Sequence, residues 1–462
     1  MTLAGLYARA PIPLQDAMST AYGVREVHRR YTGRFKRNVL ELKAREWWSP
    51  EQLVEDQAAR LRALVTYCAA RIPHYRDEFA RLGIGPADIR SVEDLAVLPL
   101  LDKETVRAHR DRFLPDERRP KLVAQATGGS TGTPMQYFVT LDAMRFNYAV
   151  YEARSRHWAG VRFGDRLASL QGALIIPEGQ RSGPLWRHNY AFNQLYLSVY
   201  HLSEANLPRY IAALDDFEPV VVASYPSVLH RIARHLLERG DIGRINPRSI
   251  ISTSETLLPH VRHDIELAFG CRVFNGYSLG ELVVYASECP HGDLHLSPEF
   301  GVTELIDHEG GHEIVATGLC NLGMPLLRYR TGDLAELAAP GTARCGRGLP
   351  CLAELRGRVD DVVRTPDGGV VGPSIIAVPF QRATNLRRAQ VRQDSLDRVL
   401  VLLETTPDWG PDDARYLEAQ LRRVLGPDLV IDCERVDTLP RTSGGKERVI
   451  VSSLGSAGGP TP

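Results

Sequence analysis

The stretch from 219 to 278 constrains the fold more than any other. "PVVVAS" (219–224) is an uninterrupted apolar run of strand length. "YPSVLHRIARHLLERG" (225–240) follows it with helical spacing and ends in Gly240, a good C-cap. "SIISTSE" (249–255), a helical stretch at 259–269 and "CRVFNGYS" (271–278) continue the alternation. Strands alternating with helices in this way predict an α/β fold class, with helices layered on mixed sheets.

The rest of the chain fits around that frame. Residues 50–82 read as a helix pair, because Leu61, Leu64, Val65, Cys68, Ala69 and Ile72 recur at steps of three and four before Pro73 breaks the pattern. "KLVAQAT" (121–127) and "MQYFVT" (135–140) read as strands on either side of a Gly-rich loop, and 141–159 as a helix. Composition shifts near 356. Beyond it come a Gly-rich hairpin ("TPDGGVVGP"), strands near 387–393 and 398–405, a helix at 411–425 and a last strand, "DLVIDCERV". We therefore expect a large N-terminal domain over 1–357, its first part helical, and a small α+β C-terminal domain over 358–452. The Gly/Ser/Pro-rich end, 453–462, is expected to be a disordered tail.

Bulk properties narrow the function. At 462 residues and 44% hydrophobic, the chain can bury a large core. Lysine plus arginine equals aspartate plus glutamate at 56 each, so the basic excess of a nucleic-acid or anionic-membrane binder is missing. The N-terminal residues lack the apolar stretch of a signal peptide, and no apolar run is long enough to span a bilayer. Seven cysteines, an odd number, argue for a reducing compartment and hence a cytoplasmic enzyme. Cys68, Cys271, Cys320 and Cys433 sit in apolar contexts and read as core thiols, and Trp47 and Trp48 as core packing.

"ATGGSTGTPMQYFVT" (126–140) carries the first chemical signal. A Walker A loop needs a Gly-Lys-Ser/Thr ending before a helix, whereas here Thr133 follows Gly132 and the loop exits into a strand. A hairpin loop can still wrap a polyphosphate. Gly128, Gly129 and Gly132 let backbone N–H groups approach the oxygens, and Thr127, Ser130 and Thr131 offer hydroxyl donors. Alone, the stretch reads equally as a plain hairpin turn. Four further segments bear on it: "FNGYSLGE" (274–281) with Glu281, "YRTGDLAEL" (329–337) with Asp333, "LRGRVDDVV" (355–363) with Arg358 and Asp360, and "LPRTSGGKERVI" (439–450) with Lys446. Each alone has a solvated-surface explanation.

In this order and at these intervals, the five segments resemble the adenylate-forming superfamily of acyl-CoA synthetases, adenylation domains and luciferases. "VTYCAARIPHYRDEF" (65–79), "SVEDLAVLPLLDKETVR" (91–107), "YPSVLHRIARHL" and "IISTSETL" resemble its phenylacetate–CoA ligase branch. The resemblance implies ATP-dependent activation of a carboxylic acid, aryl or arylacetyl, to an acyl-adenylate with release of pyrophosphate. Transfer to coenzyme A follows, and the small domain moves between the two steps. It implies that Thr127 to Thr133 hold the ATP phosphates and that Glu281 binds Mg²⁺. Asn275, Gly276 and Tyr277 would line the adenine slot, with Ser254, Glu255 and Ser278 also at the nucleotide. Asp333 would accept from the ribose hydroxyls, Arg358 would assist at ribose or phosphate, Asp360 would be the hinge, and Lys446 would reach the carboxylate and α-phosphate. Tyr225 and Pro226, at a strand C-terminus, and Tyr277 are candidates for the acid pocket.

Two departures from the family pattern stand out. Met135 occupies the place after the loop proline where the superfamily often has lysine. "ECPHGDLHLSPE" (288–299) and "ARCGRGLPCLAEL" (343–355) add a Cys/His cluster able to hold a structural Zn²⁺. Cys289, His295, Cys345 and Cys351 are the preferred ligands, with His291 in reserve. Relatives that carry such a site usually show Cys-x-Cys-Gly-Arg, where this chain has Ala343 first. Unrelated thiols and surface histidines are the alternative. The acyl acceptor also stays open among coenzyme A, an amine and a carrier-protein thiol, as does the oligomeric state, a homodimer included.

Overall fold

The computed structural model of the protein describes residues 3–454, apart from 117–120, 127–134, 173–174, 178–179, 181, 256, 258, 309–310, 356–362, 438 and 441–448. Its centre is a twelve-stranded sheet. Strands Arg272–Ser278, Ser249–Thr253, Val221–Ser224, Leu167–Gln171 and Gln194–Ser198 lie side by side and parallel, and Trp186–Asn189 closes that edge antiparallel. Every residue of Val221–Ser224 is buried, as a central strand covered on both faces requires. Helix Pro226–Arg239 follows directly. Pro226 opens it, and Gly240 closes it in the left-handed conformation at φ 71°.

The other half of the sheet is an antiparallel wing, Tyr285–Glu288, Leu294–Leu296, Cys351–Leu355, Tyr329–Leu337, Gly311–Gly318 and Gly301–His308. The expectation of mixed sheets holds, but these strands are not foreseen in the sequence reading, which treats the segment as turn motifs and a Cys/His cluster.

The predicted helix pair is present as Pro50–Arg71 and Pro73–Leu82. Ser49 and Gln52 form a reciprocal capping box at its start, and Leu61, Leu64, Val65 and Cys68 make one buried stripe. The helix expected over 141–159 is α-helical only over Leu141–Val150 and then widens to a π turn over Tyr151–Arg156. That turn buries Arg154, whose guanidinium meets the equally buried Glu299 at 2.8 Å.

Beyond 362 a second, four-stranded sheet carries helices Pro373–Arg382 and Pro411–Leu425. Its fourth strand, Ile450–Ser452, pairs parallel with Leu386–Ser395 and follows the strand expected to be last. Three residues after a Gly-rich loop leave no alternation to read. Side chains of this unit, among them Val363, Ile376 and Leu417, join one buried cluster with Ile232 and Val222 of the large sheet's parallel half.

Two packing expectations need correction. Cys433 is exposed, on a strand whose outward residues face water, whereas Cys271 and Cys320 are partly buried and pack against the core as expected. Trp47 is 58% exposed, its ring covered by the Arg347 guanidinium at 4.8 Å rather than by core. Among the described residues, no helix is long and apolar enough to cross a membrane.

Candidate active site

Parallel strands end at one edge, and that edge collects most of the predicted nucleotide and acid residues among those described. Tyr225 and Pro226 follow Val221–Ser224, Ser254 and Glu255 follow Ser249–Thr253, and Asn275, Gly276, Tyr277 and Ser278 end Arg272–Ser278. Helix-capped sheets bind ligands at this end because the loops there are free to diverge. Ser254 has φ 73° and Leu282, directly after Glu281, φ 59°, conformations that cost a non-glycine residue about 1–3 kcal/mol each. The strain stands at the two turns where nucleotide and metal contacts are expected.

Asp333 lies on the wing strand Tyr329–Leu337, with three strands between it and Arg272–Ser278 in the sheet order, yet it meets Tyr277. Tyr277 Oη donates to its Oδ2 at 2.9 Å, and its backbone N–H donates to Thr331 Oγ1 at 3.1 Å. Gly332, at φ 78°, makes the turn that presents it, and the Gly332 N–H donates to buried Glu313, itself paired with Arg330. Glu281 is 7% exposed and accepts from Tyr329 Oη at 3.2 Å. Tyr137, on the strand that leaves the Gly-rich loop, packs against Gly280 so closely that a Cβ there would sit 3.0 Å from its hydroxyl. Burial raises the Tyr137 phenol well above its ordinary pKa, with the Glu281 charge adding to the shift, so it stays a neutral donor. Glu313 escapes sequence reasoning, since a single glutamate in a strand carries no motif, while Tyr329 and Thr331 lie within the quoted "YRTGDLAEL" but receive no role there.

The loop 127–134, Arg358, Asp360 and Lys446 lie outside the described residues. The strands flanking that loop, Leu122–Ala126 and Gln136–Thr140, pair antiparallel up to Ala126 opposite Gln136, so the hairpin expected around it is present. Next to the Ser278–Glu281 turn is a cavity of about 190 Å³, reached by Gln125 and Tyr137 of that hairpin. Tyr225 does not line it. Its hydroxyl instead accepts from the Gly172 N–H at 2.9 Å, and burial raises its pKa. A wider depression of about 730 Å³ lies at the opposite, N-terminal end of Arg272–Ser278. Its Arg262 and Arg272 are already engaged with Glu288.

The Cys/His cluster assembles differently from the preferred set. Cys289, Asp293, His295 and Cys345 place one donor atom each within 4.8 Å of one another, whereas Cys351 is not part of that group. His295 turns Nε2 toward Cys345 Sγ at 3.1 Å and its other nitrogen, Nδ1, toward Cys351 Sγ at 3.1 Å, so the ring stands between the two thiols. His291 contributes its backbone N–H to Cys289 Sγ at 3.3 Å, not its ring. Burial lowers the His295 pKa and so keeps its nitrogens available as donors. Two thiols, an imidazole and a carboxylate suit a tetrahedral zinc ion. Asp293 could have been found: it lies inside the quoted turn two residues before His295, but counting only soft ligands passes over it.

Comparison with known proteins places this geometry. Residues 363–453 match the family model described as CapK C-terminal domain. The chain is 28% identical over 453 residues to protein CapK of Staphylococcus aureus, covering 97% of this chain and 99% of that one. It is 29% identical over 424 residues to phenylacetate–coenzyme A ligase of Pseudomonas putida, covering 86% and 93%. Among solved structures, 2-hydroxyisobutyryl-CoA ligase superposes with a TM-score of 0.56 at 18% identity in its postadenylation state, covering 89% of this chain and 91% of that one. The same enzyme in its thioesterification state gives 0.57 at 18% identity, covering 88% and 92%. At that identity the superposition speaks for the fold.

Proposed function

Because this chain belongs to the adenylate-forming superfamily, on its phenylacetate–coenzyme A ligase-like branch, we propose that it activates a carboxylic acid with ATP and passes the acyl group to coenzyme A. The observation that carries the reading is the Tyr277–Asp333 pair beside buried Glu281, at the C-terminal edge of the parallel strands. A fixed, half-buried carboxylate is the acceptor two vicinal ribose hydroxyls need. Asn275, Gly276, Ser278, Ser254 and Glu255, at the ends of two adjacent strands, would supply walls for the base.

Residues 127–133 would cradle the β- and γ-phosphates with backbone N–H and hydroxyl donors. Glu281 would hold Mg²⁺, which offsets the triphosphate charge when bound. In the first half-reaction an oxygen of the substrate carboxylate attacks the α-phosphorus. The bond to the bridging oxygen breaks and pyrophosphate leaves with its electron pair. Lys446, with Arg358, would stabilise the charge gathering on the α-phosphate oxygens. In the second, a thiol sulfur attacks the acyl carbon, gives up its proton and expels AMP. Movement about Asp360 would withdraw Lys446 between the halves. An aryl or arylacetyl acid, a structural zinc ion on Cys289, Asp293, His295 and Cys345, and a cytoplasmic location complete the proposal.

Acid-dependent ATP–pyrophosphate exchange tests it. Lys446→Ala should lower exchange roughly a hundredfold to a thousandfold while ATP still binds. Exchange at the parental rate would sink the assignment. A panel of acids with and without coenzyme A identifies both acid and acceptor.

A further inference from the structure

The cavity beside the Ser278–Glu281 turn is not built for a hydrocarbon tail alone. Val139, Met144, Leu279 and Leu282 give it apolar surface. Arg30, Gln125, Tyr137, Asn147, Tyr148 and Ser278 give it a polar lining with one cation, and among the described residues no aspartate or glutamate lines it.

Arg30 comes from the end of the N-terminal helix Ile12–Arg30, far in sequence from every superfamily motif. It is fixed in place: Nε and Nη2 lie 3.1 and 3.0 Å from Glu26 Oε2, and the guanidinium stands 4.6 Å over the Tyr148 ring. Glu26 is buried and also meets Arg29 and the largely exposed Arg25, so Arg30 shares its one carboxylate partner with two other guanidiniums. A guanidinium that shares its carboxylate, lines a cavity with no acid among its described residues and is three-quarters withdrawn from water favours an anion there.

Resting on the ligase reading, we propose that the acid activated here carries a second carboxylate, held by Arg30 at the end of the cavity away from the reacting carboxyl. A monoacid such as phenylacetate offers its only carboxylate to the α-phosphorus and leaves hydrocarbon against Arg30. A diacid satisfies both ends, and the two-pronged guanidinium–carboxylate match supplies selectivity that apolar walls lack.

The test compares phenylacetate with 4-carboxyphenylacetate, by pyrophosphate exchange and by calorimetric binding, in the full chain and in Arg30→Leu. The parent should prefer the diacid, and Arg30→Leu should cut the diacid-to-monoacid ratio of kcat/KM by roughly tenfold to a hundredfold. Arg30→Lys keeps the charge without the fork and should fall between. Thermal melts of each variant establish that it folds. Preference of the parent for phenylacetate overturns the proposal, as does a ratio unmoved by Arg30→Leu. An equal loss with both acids overturns it too, and would assign Arg30 to the shared carboxylate or to ATP. If no acid supports exchange but the diacid binds tighter in an Arg30-dependent way, the ligase reading fails and the anion pocket stands. Absence of both exchange and binding overturns both.

Discussion

Asp333→Asn, read against Tyr277→Phe, tests the nucleotide site at its best-described point. Asp333 is held from two sides, by the Tyr277 hydroxyl at 2.9 Å and through its own N–H to Thr331 at 3.1 Å. Removing the Tyr277 hydroxyl deletes one hydrogen bond to a charged acceptor. Both side chains are half-buried, so the lower end of that class applies, about 1 kcal/mol, or roughly fivefold in ATP affinity. Asp333→Asn changes more. Two charge-assisted bonds to ribose become at best one neutral bond, and an NH₂ group faces the second hydroxyl. That is worth about 2–3 kcal/mol, or roughly 30-fold to 150-fold. In the double variant the Tyr277→Phe loss should largely vanish, because the carboxylate it orients is gone. Calorimetric titration with ATP and with 2′-deoxyATP is the assay. The parent should bind the deoxynucleotide more weakly and the Asn variant should hardly distinguish the two. An Asn variant that keeps the parent's discrimination refutes the ribose role, whatever its overall affinity.

The metal cluster and one buried histidine give further expectations. Protein purified without chelator should contain about one zinc per chain. Cys345→Ser and Asp293→Ala should lose it with a fall in Tm, while Cys351→Ser should keep it, and fewer than roughly 0.3 zinc per chain in the parent counts against the site. His74 packs its ring 4.2 Å from Phe113, and burial lowers its pKa below the ordinary histidine value. The unfolded chain therefore binds that proton more readily, so stability is lost as pH falls below about 6.5. His74→Phe should flatten the decline in Tm between about pH 7 and about pH 5, and an unchanged slope would show that His74 does not carry it.

Much of the fold is legible because its signals are local. An apolar run such as Val221–Ser224 has one stable use, a covered strand, and Gly240 at φ 71° ends the next helix as its lack of a Cβ allows. The antiparallel wing is illegible for the opposite reason. Its strands are defined by partners far away in the chain, such as His295 opposite Cys351, and a three-residue strand has no period to detect. The site divides along the same line. Asn275 to Glu281 is a contiguous motif and can be read, whereas Tyr329, which meets Glu281, and Arg30, which reaches the cavity from the first helices, are brought there only by tertiary packing.

The same distinction bears on how the small unit works. Besides the buried cluster it shares with the large sheet, its docking makes scattered contacts that no motif announces. Arg382 stands 4.8 Å over the Tyr200 ring, Arg234 donates to the Asp367 carbonyl at 3.2 Å, and a Cβ on Gly372 would sit 2.5 Å from Glu255 Oε1. Gly372 is the tightest of these. Any side chain there would push on the Glu255 carboxylate, so glycine is what lets this unit lie so close to the turn after Ser249–Thr253. The contacts around it are a cation over a ring and a single hydrogen bond, each worth on the order of 1 kcal/mol at a partly exposed surface. Polar contacts of that size can be remade in a second orientation far more cheaply than buried core, so the shared cluster of Val363, Ile376 and Leu417 with Ile232 and Val222 sets the cost of any reorientation of this unit.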